Sequence, residues 1–225
     1  MLIPDNLNLV KSKIVAAVAR SGRHLREVEL IAVSKTFPIE SIREALNTGC
    51  NLFGENRVQE LISKVPALPA TTRWHLIGHL QSNKVRKVLP IVEAIHSVDS
   101  LDLARQIQRI GGEVDRHPSL FLEVNVSGEA SKFGFEPEQL ERDFEALLSL
   151  EGLHITGLMT VPPVGESPED SRRYFVALRE LRDRLQDRSG RSLPGLSMGM
   201  SSDYEVAIEE GSTHVRVGSA IFGGR

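Results

Sequence analysis

Between residues 28 and 217 the chain repeats one pattern about eight times: a short, almost wholly apolar run followed by a longer amphipathic stretch. That alternation restricts the fold more than any other feature. Runs such as Val28-Glu29-Leu30-Ile31-Ala32-Val33-Ser34-Lys35 are too short for buried helices and too continuously apolar for a sheet with one wet face. They read as strands of a parallel sheet covered on both sides. Strands are predicted at 28–35, 51–55, 73–79, 91–98, 120–126, 154–160, 196–200 and 214–217, and helices at 38–48, 58–65, 82–89, 100–110, 137–148, 168–187 and 203–210. A leading helix is predicted at 6–21, where Leu7, Val10, Ile14, Val15 and Val18 form an apolar stripe. An open doubly wound sheet alternates in the same way. Eight strands, each but the last followed by a helix and with the leading helix free to complete the ring, favour closure into an α/β fold, a (β/α)8 TIM-type barrel with an extra N-terminal helix. A chain of 225 residues suits one such barrel, so a single domain over 1–225 is expected. The stretch 162–168, rich in proline, reads as a βα loop.

Composition excludes several partners. A formal net charge of −3 offers no basic face for nucleic acid or an anionic membrane. No segment approaches the ~20 apolar residues of a membrane span, and the start Met1-Leu2-Ile3-Pro4-Asp5-Asn6 has no secretion-signal pattern, so a cytoplasmic location is expected. The lone Cys50 has no intramolecular disulfide partner and reads as a buried, inert thiol.

In barrels of this kind the working groups project from the carboxyl ends of the strands. Lys35 closes the first apolar run and, by period-two alternation, shares a face with Ile31 and Val33. A lysine there either snorkels past the rim to solvent or stays inside, where the ammonium is costly to bury and the neutral amine suits imine chemistry. Near the C-terminus Ser197-Met198-Gly199-Met200-Ser201-Ser202-Asp203 leads from a strand into a helix, with Ser or Asp as the expected cap. Arg216-Val217-Gly218-Ser219 follows the next strand. The loops after strands seven and eight are the common phosphate site of such barrels, and Gly218 would allow a ligand close to the backbone. Arg216 lies within the last strand, where its charge needs a partner: a core carboxylate such as Glu55, or the ring nitrogen of a bound heterocycle. His75 and His79 have no companion ligands at metal spacing, and His24, His96, His117, His154 and His214 are scattered, so no metal is expected. Dinucleotide, nucleoside-triphosphate and serine-nucleophile motifs are absent.

At these positions the chain resembles the pyridoxal phosphate homeostasis proteins, which share a barrel with the N-terminal domain of alanine racemase. The resemblance rests on Ala32-Val33-Ser34-Lys35, Phe53-Gly54-Glu55-Asn56, the stretch from Trp74 to Lys84, Gly157-Leu158-Met159-Thr160, Leu196-Ser197-Met198-Gly199-Met200-Ser201 and Val215-Arg216-Val217-Gly218-Ser219-Ala220-Ile221-Phe222-Gly223. It implies that Lys35 carries pyridoxal 5′-phosphate as an imine and that Ser201, Gly218 and Ser219 hold the phosphate. It further implies that Arg216 faces the pyridine nitrogen, that Asn56 and His79 line the same mouth, and that Met159 packs near the ring. An arginine at that nitrogen accepts no proton and makes the ring a poorer electron sink.

A racemase of this fold uses a second, β-rich domain that donates a catalytic tyrosine, whereas this sequence ends soon after its eighth strand. Tyr174 and Tyr204 fall on predicted helices. The expectation is therefore a non-catalytic, monomeric binding protein that manages the cofactor in vitamin B6 and amino-acid balance, with apo-enzymes that need the cofactor as partners. The alternatives are a small amino-acid racemase using Lys35 as its base and a lysine-dependent aldolase acting on a sugar phosphate.

Overall fold

The computed structural model describes residues 2–129 and 132–224. Met1 and Arg225, the two ends of the expected domain, lie outside the described residues. Eight strands run in parallel in chain order and close on themselves: β1 Glu29–Val33, β2 Leu52–Glu55, β3 Arg73–Leu76, β4 Ala94–Val98, β5 Ser119–Glu123, β6 His154–Met159, β7 Gly195–Ser197 and β8 His214–Val217. Closure is made by β8 against β1, with Leu30 opposite Val215, Ile31 opposite Arg216 and Ala32 opposite Val217. All the strands but β8 are shorter than the apolar runs that announce them. Past β1, β5 and β7 burial continues for one or two residues, and hydrophobicity alone overruns the sheet there to Lys35, Val126 and Met200, as it does past β3 to His79.

Helices alternate with the strands: α1 Ile3–Arg20, α2 Ile39–Leu46, α3 Val58–Lys64, α4 Val85–Val88, α5 Leu101–Val114, α6 Pro137–Leu148, α7 Arg172–Ser189, α8 Tyr204–Glu209 and α9 Ser219–Phe222. The last was not expected, because four residues are too few to show a period. Pro4 in its first turn starts α1 three residues earlier than the apolar stripe suggests, since proline lacks only an N–H that would have no partner there. Leu7, Val10, Ile14, Ala17 and Val18 are buried, while Val15 is turned to solvent. The helix packs against α2, α8 and α9, filling the ring where the first and last units meet.

Most of the hydrophobic core lies between the sheet and the helices and includes Cys50. The barrel interior is different. Ala94, Phe121 and Met159 form a small apolar cluster there, next to the buried rings of His75 and His96, which are tilted against each other, with Phe121 stacked on His96 at 4.2 Å. No helix among the described residues is long and apolar enough to cross a membrane.

Candidate functional site

β1 ends at Val33 and the chain turns at once. The Phe37 N–H donates to the Ser34 carbonyl at 3.1 Å, and Thr36 between them has φ 67. A β-branched residue in the left-handed region is strained, and such strain persists only where surrounding contacts impose it. Lys35 therefore sits on a tight turn rather than on the strand itself. Its side chain lines a cavity of about 430 Å³ at the carboxyl end of the barrel. Asn56, Ser201, Arg216, Gly218 and Ser219 line the same cavity, so six of the eight candidate residues converge, with Val33, Phe37 and Ile77 as apolar walls.

The two loops expected to bind an anion are joined directly. Ser201 Oγ accepts the N–H of Gly218 at 3.1 Å and of Ala220 at 3.3 Å, which leaves its own proton free for a third group. It is not a helix cap, contrary to the simplest reading of the sequence. Asp203 precedes α8, but its carboxylate accepts from the Met200 N–H at 2.7 Å and the Ser171 hydroxyl at 2.8 Å, folding the loop back on itself. Among the described residues, the N–H groups of Ser201, Ser202 and Ser219 have no protein acceptor. A Cβ on Gly218 would stand 3.3 Å from Val33 Cβ and the Val33 carbonyl, so a larger residue would crowd this corner.

Arg216 is 4 % exposed and points inward opposite Ile31. Its Nη1 donates to Ser197 Oγ at 2.6 Å and its Nη2 to the Thr160 carbonyl at 2.8 Å. Of the two partners the sequence allowed, Glu55 is not one in the structure. Gly54 occupies the inner face beside Ile31, so alternation turns Glu55 outward, where it meets Lys64 of α3 at 2.6 Å and Ser34 Oγ at 2.7 Å. Among the described residues no carboxylate pairs with Arg216. Burial pushes its pKa down to about 10 despite the more distant Glu123 and Asp203.

Behind the guanidinium, which only donates, runs a chain of buried polar contacts. Ser197 Oγ lies 2.8 Å from His96 Nδ1, and His96 Nε2 lies 3.0 Å from His75 Nδ1, with the donor at each step set by the ring tautomers. Burial holds both rings neutral, His75 near pKa 3 and His96 well below the ordinary imidazole range. Among the described residues no group of three or more His, Cys, Asp or Glu is arranged to hold a metal.

Two candidates stand apart. His79 lies beyond β3 in an adjoining recess of about 350 Å³, where its Nδ1 is 2.9 Å from Asp99 and its ring stacks on Phe133 at 4.1 Å. The recess shares Asn56, Ile77 and Val161 with the main cavity, so His79 flanks the mouth without lining the cavity. Met159 is not among the residues that line the cavity. It is the last residue of β6, buried inside the barrel with Ala94 and Phe121.

Sequence reasoning missed Glu123. It ends β5, but in the sequence it lies in the middle of the run predicted at 120–126, so the strand-end rule passes over it; a carboxylate inside an apolar run was the signal that could have found it. It lines the recess, and burial, with Asp99 adding and Arg216 opposing, pushes its pKa up to about 7. Asn56 Oδ1 is buried with no partner, and Gly78 shows why the segment is tight: a Cβ there would stand 2.3 Å from the Asn56 carbonyl oxygen.

This barrel and its lysine cavity have clear relatives. Residues 10–225 match the family model described as "Alanine racemase, N-terminal domain". The pyridoxal phosphate homeostasis protein of Aquifex aeolicus is 48% identical over 222 residues, covering 98% of this chain and 97% of that protein. The one of Synechocystis is 40% identical, covering 96% and 97%. Among solved structures, PipY of Synechococcus elongatus without PLP superposes with TM-score 0.89 at 39% identity, covering 98% of this chain and 100% of that one. PipY with PLP bound gives 0.86. An alanine racemase of Clostridium difficile shares the fold at TM-score 0.76 and 16% identity, and 57% of its length is covered. The chain belongs to the pyridoxal phosphate homeostasis protein family, built on the alanine racemase N-terminal domain fold.

Proposed function

We propose that this chain binds pyridoxal 5′-phosphate in the cavity beside Lys35, carries it as an imine on the Lys35 amine, and acts as a non-catalytic keeper of the cofactor in vitamin B6 homeostasis and amino-acid balance. One observation carries the reading: a lysine amine, a buried arginine and backbone N–H groups face one cavity, the arginine without a carboxylate and the N–H groups without acceptors among the described residues. The donor set fits the cofactor. Ser201, Gly218 and Ser219 suit its phosphate, Arg216 its pyridine nitrogen, and Lys35 its aldehyde, with Asn56 and His79 at the mouth. Met159, buried with Ala94 and Phe121 at the end of β6, would lie beneath the ring.

When bound, the cofactor supplies an aldehyde that takes up an amine with loss of water and a ring that withdraws electrons. Arg216 disfavours protonation of the ring nitrogen and so weakens that withdrawal. Neither tyrosine lines the cavity: Tyr204 is buried on α8, and Tyr174 accepts a bond from Arg173 on α7. This supports a carrier over a racemase. The same reading takes the chain as a single domain, monomeric and cytoplasmic, passing cofactor to apo-enzymes.

The test is the visible absorption of the purified protein after addition of pyridoxal phosphate. A stoichiometric band is expected, lost in Lys35→Ala and moved to an added apo-enzyme. A colourless protein that takes up no cofactor refutes the reading. Glu123 favours a second reading, because a carboxyl titrating near neutrality beside the mouth suits proton transfer in a small racemase based on Lys35. Deuterium exchange at the α-carbon of amino acids at ordinary enzymatic rates would establish that activity instead.

A further inference from the structure

Behind the Lys35 turn lies a buried ionic cluster that the cavity does not use. Lys64, on the last turn of α3, is almost entirely enclosed. Its ammonium donates to the Ser34 carbonyl at 2.8 Å, to Glu55 Oε1 at 2.6 Å and to Glu60 Oε2 at 3.1 Å. Glu55 Oε1 also accepts the Ser34 hydroxyl at 2.7 Å, and Glu60 Oε2 accepts the Thr36 N–H at 2.6 Å. The residues on both sides of Lys35 are thus gripped by one charge network.

The grip on Thr36 is specific. In a four-residue turn with its third residue at positive φ, the middle peptide is flipped relative to the common type I turn. Here that peptide joins Lys35 to Thr36, and its N–H is the group Glu60 accepts. A relaxed turn would move Thr36 to negative φ and swing the N–H away from Glu60. Stability alone does not call for such a cluster, because apolar packing commonly replaces a buried ion pair without loss.

We infer that Glu60 and Lys64 are positioning residues that hold Thr36 in its left-handed conformation and so fix the segment from which the Lys35 amine meets its ligand. The inference rests on the cofactor reading above, and its test separates the two. In Glu60→Ala the acceptor for Thr36 is gone. The dissociation constant for pyridoxal phosphate, read from the visible band well below the melting temperature, rises on the order of tenfold, the size of one hydrogen bond to a charged group.

Glu60→Gln keeps an acceptor oxygen and stays close to wild type. Adding Thr36→Gly to Glu60→Ala restores binding, because glycine adopts positive φ without strain. Wild-type binding in Glu60→Ala overturns the inference, and so does a loss that neither Gln at position 60 nor Gly at position 36 repairs. A cofactor-independent arm measures amide hydrogen exchange of Thr36 in the cofactor-free protein. Protection in the wild type, lost in Glu60→Ala, is expected, and equal exchange in both overturns the inference even if the wild type takes up no cofactor.

Discussion

Arg216→Met separates what the arginine does for the fold from what it does for the ligand. In the cofactor-free chain the guanidinium is enclosed, bonded to Ser197 and to the Thr160 carbonyl. Its pKa of about 10, against an ordinary 12.5, means that burial works against the charged form by roughly 3 kcal/mol at ~1.4 kcal/mol per pKa unit. Methionine removes that charge at similar length. Ser197 keeps His96 at 2.8 Å, so only the Thr160 carbonyl is orphaned, at about 1–3 kcal/mol. The difference leaves the cofactor-free variant between unchanged and about 2 kcal/mol more stable, a melting temperature equal to wild type or a few degrees higher at ~2–4 °C per kcal/mol.

The ligand side moves the other way. Losing a hydrogen bond from a charged donor costs about 1.5–3 kcal/mol, so pyridoxal phosphate should bind roughly ten- to a hundredfold more weakly. Scanning calorimetry of the cofactor-free proteins and absorbance titration with pyridoxal phosphate read the two effects separately. A cofactor-free variant melting several degrees below wild type would show the arginine to be a structural strut, and undiminished affinity would remove it from the ring nitrogen.

Three further outcomes follow from the geometry. Ser201→Ala removes the acceptor for the Gly218 and Ala220 N–H groups and a hydroxyl facing the cavity; affinity for pyridoxal phosphate should fall about tenfold, and affinity for unphosphorylated pyridoxal should change much less, as seen in parallel titrations. Gly78→Ala places a Cβ 2.3 Å from the Asn56 carbonyl oxygen, and denaturant unfolding should show a loss of about 1–3 kcal/mol; an unchanged midpoint would mean that the strand ends slide freely. Glu123, whose folded pKa of about 7 lies above its ordinary 4.5, holds a proton in the folded chain that the unfolded chain has released across that interval. Its contribution to stability is therefore lost as pH rises from about 4.5 through about 7, and Glu123→Gln should flatten that slope in unfolding curves taken across the range.

Much of the site was legible because barrel strands are short and their ends are chemically distinct. A lysine closing an apolar run and two glycine- or serine-bearing loops after the last two strands could be picked out one by one, and Lys35, Ser201, Gly218 and Ser219 do meet in one cavity. Errors came where a side chain's direction, rather than its presence, mattered. Glu55 ends β2 and Arg216 lies one residue inside the end of β8, and one-residue alternation sends the first outward to Lys64 and the second inward to Ser197. Met159 ends β6 and packs inside the barrel with Ala94 and Phe121, neighbours that no local pattern announces.

The order and number of strands, their parallel direction and the place of Lys35 at the end of the first apolar run were written in the sequence by itself, since apolar periodicity and polar strand ends are local properties. Tertiary structure decided who faces whom. The His75–His96–Ser197–Arg216 chain joins β3, β4, β7 and β8 across the barrel, and the Glu60 contact that accompanies the unusual φ of Thr36 comes from α3, twenty-four residues away in sequence. Such pairings depend on closure and register, which bring distant residues within hydrogen-bond range and leave no local pattern along the chain.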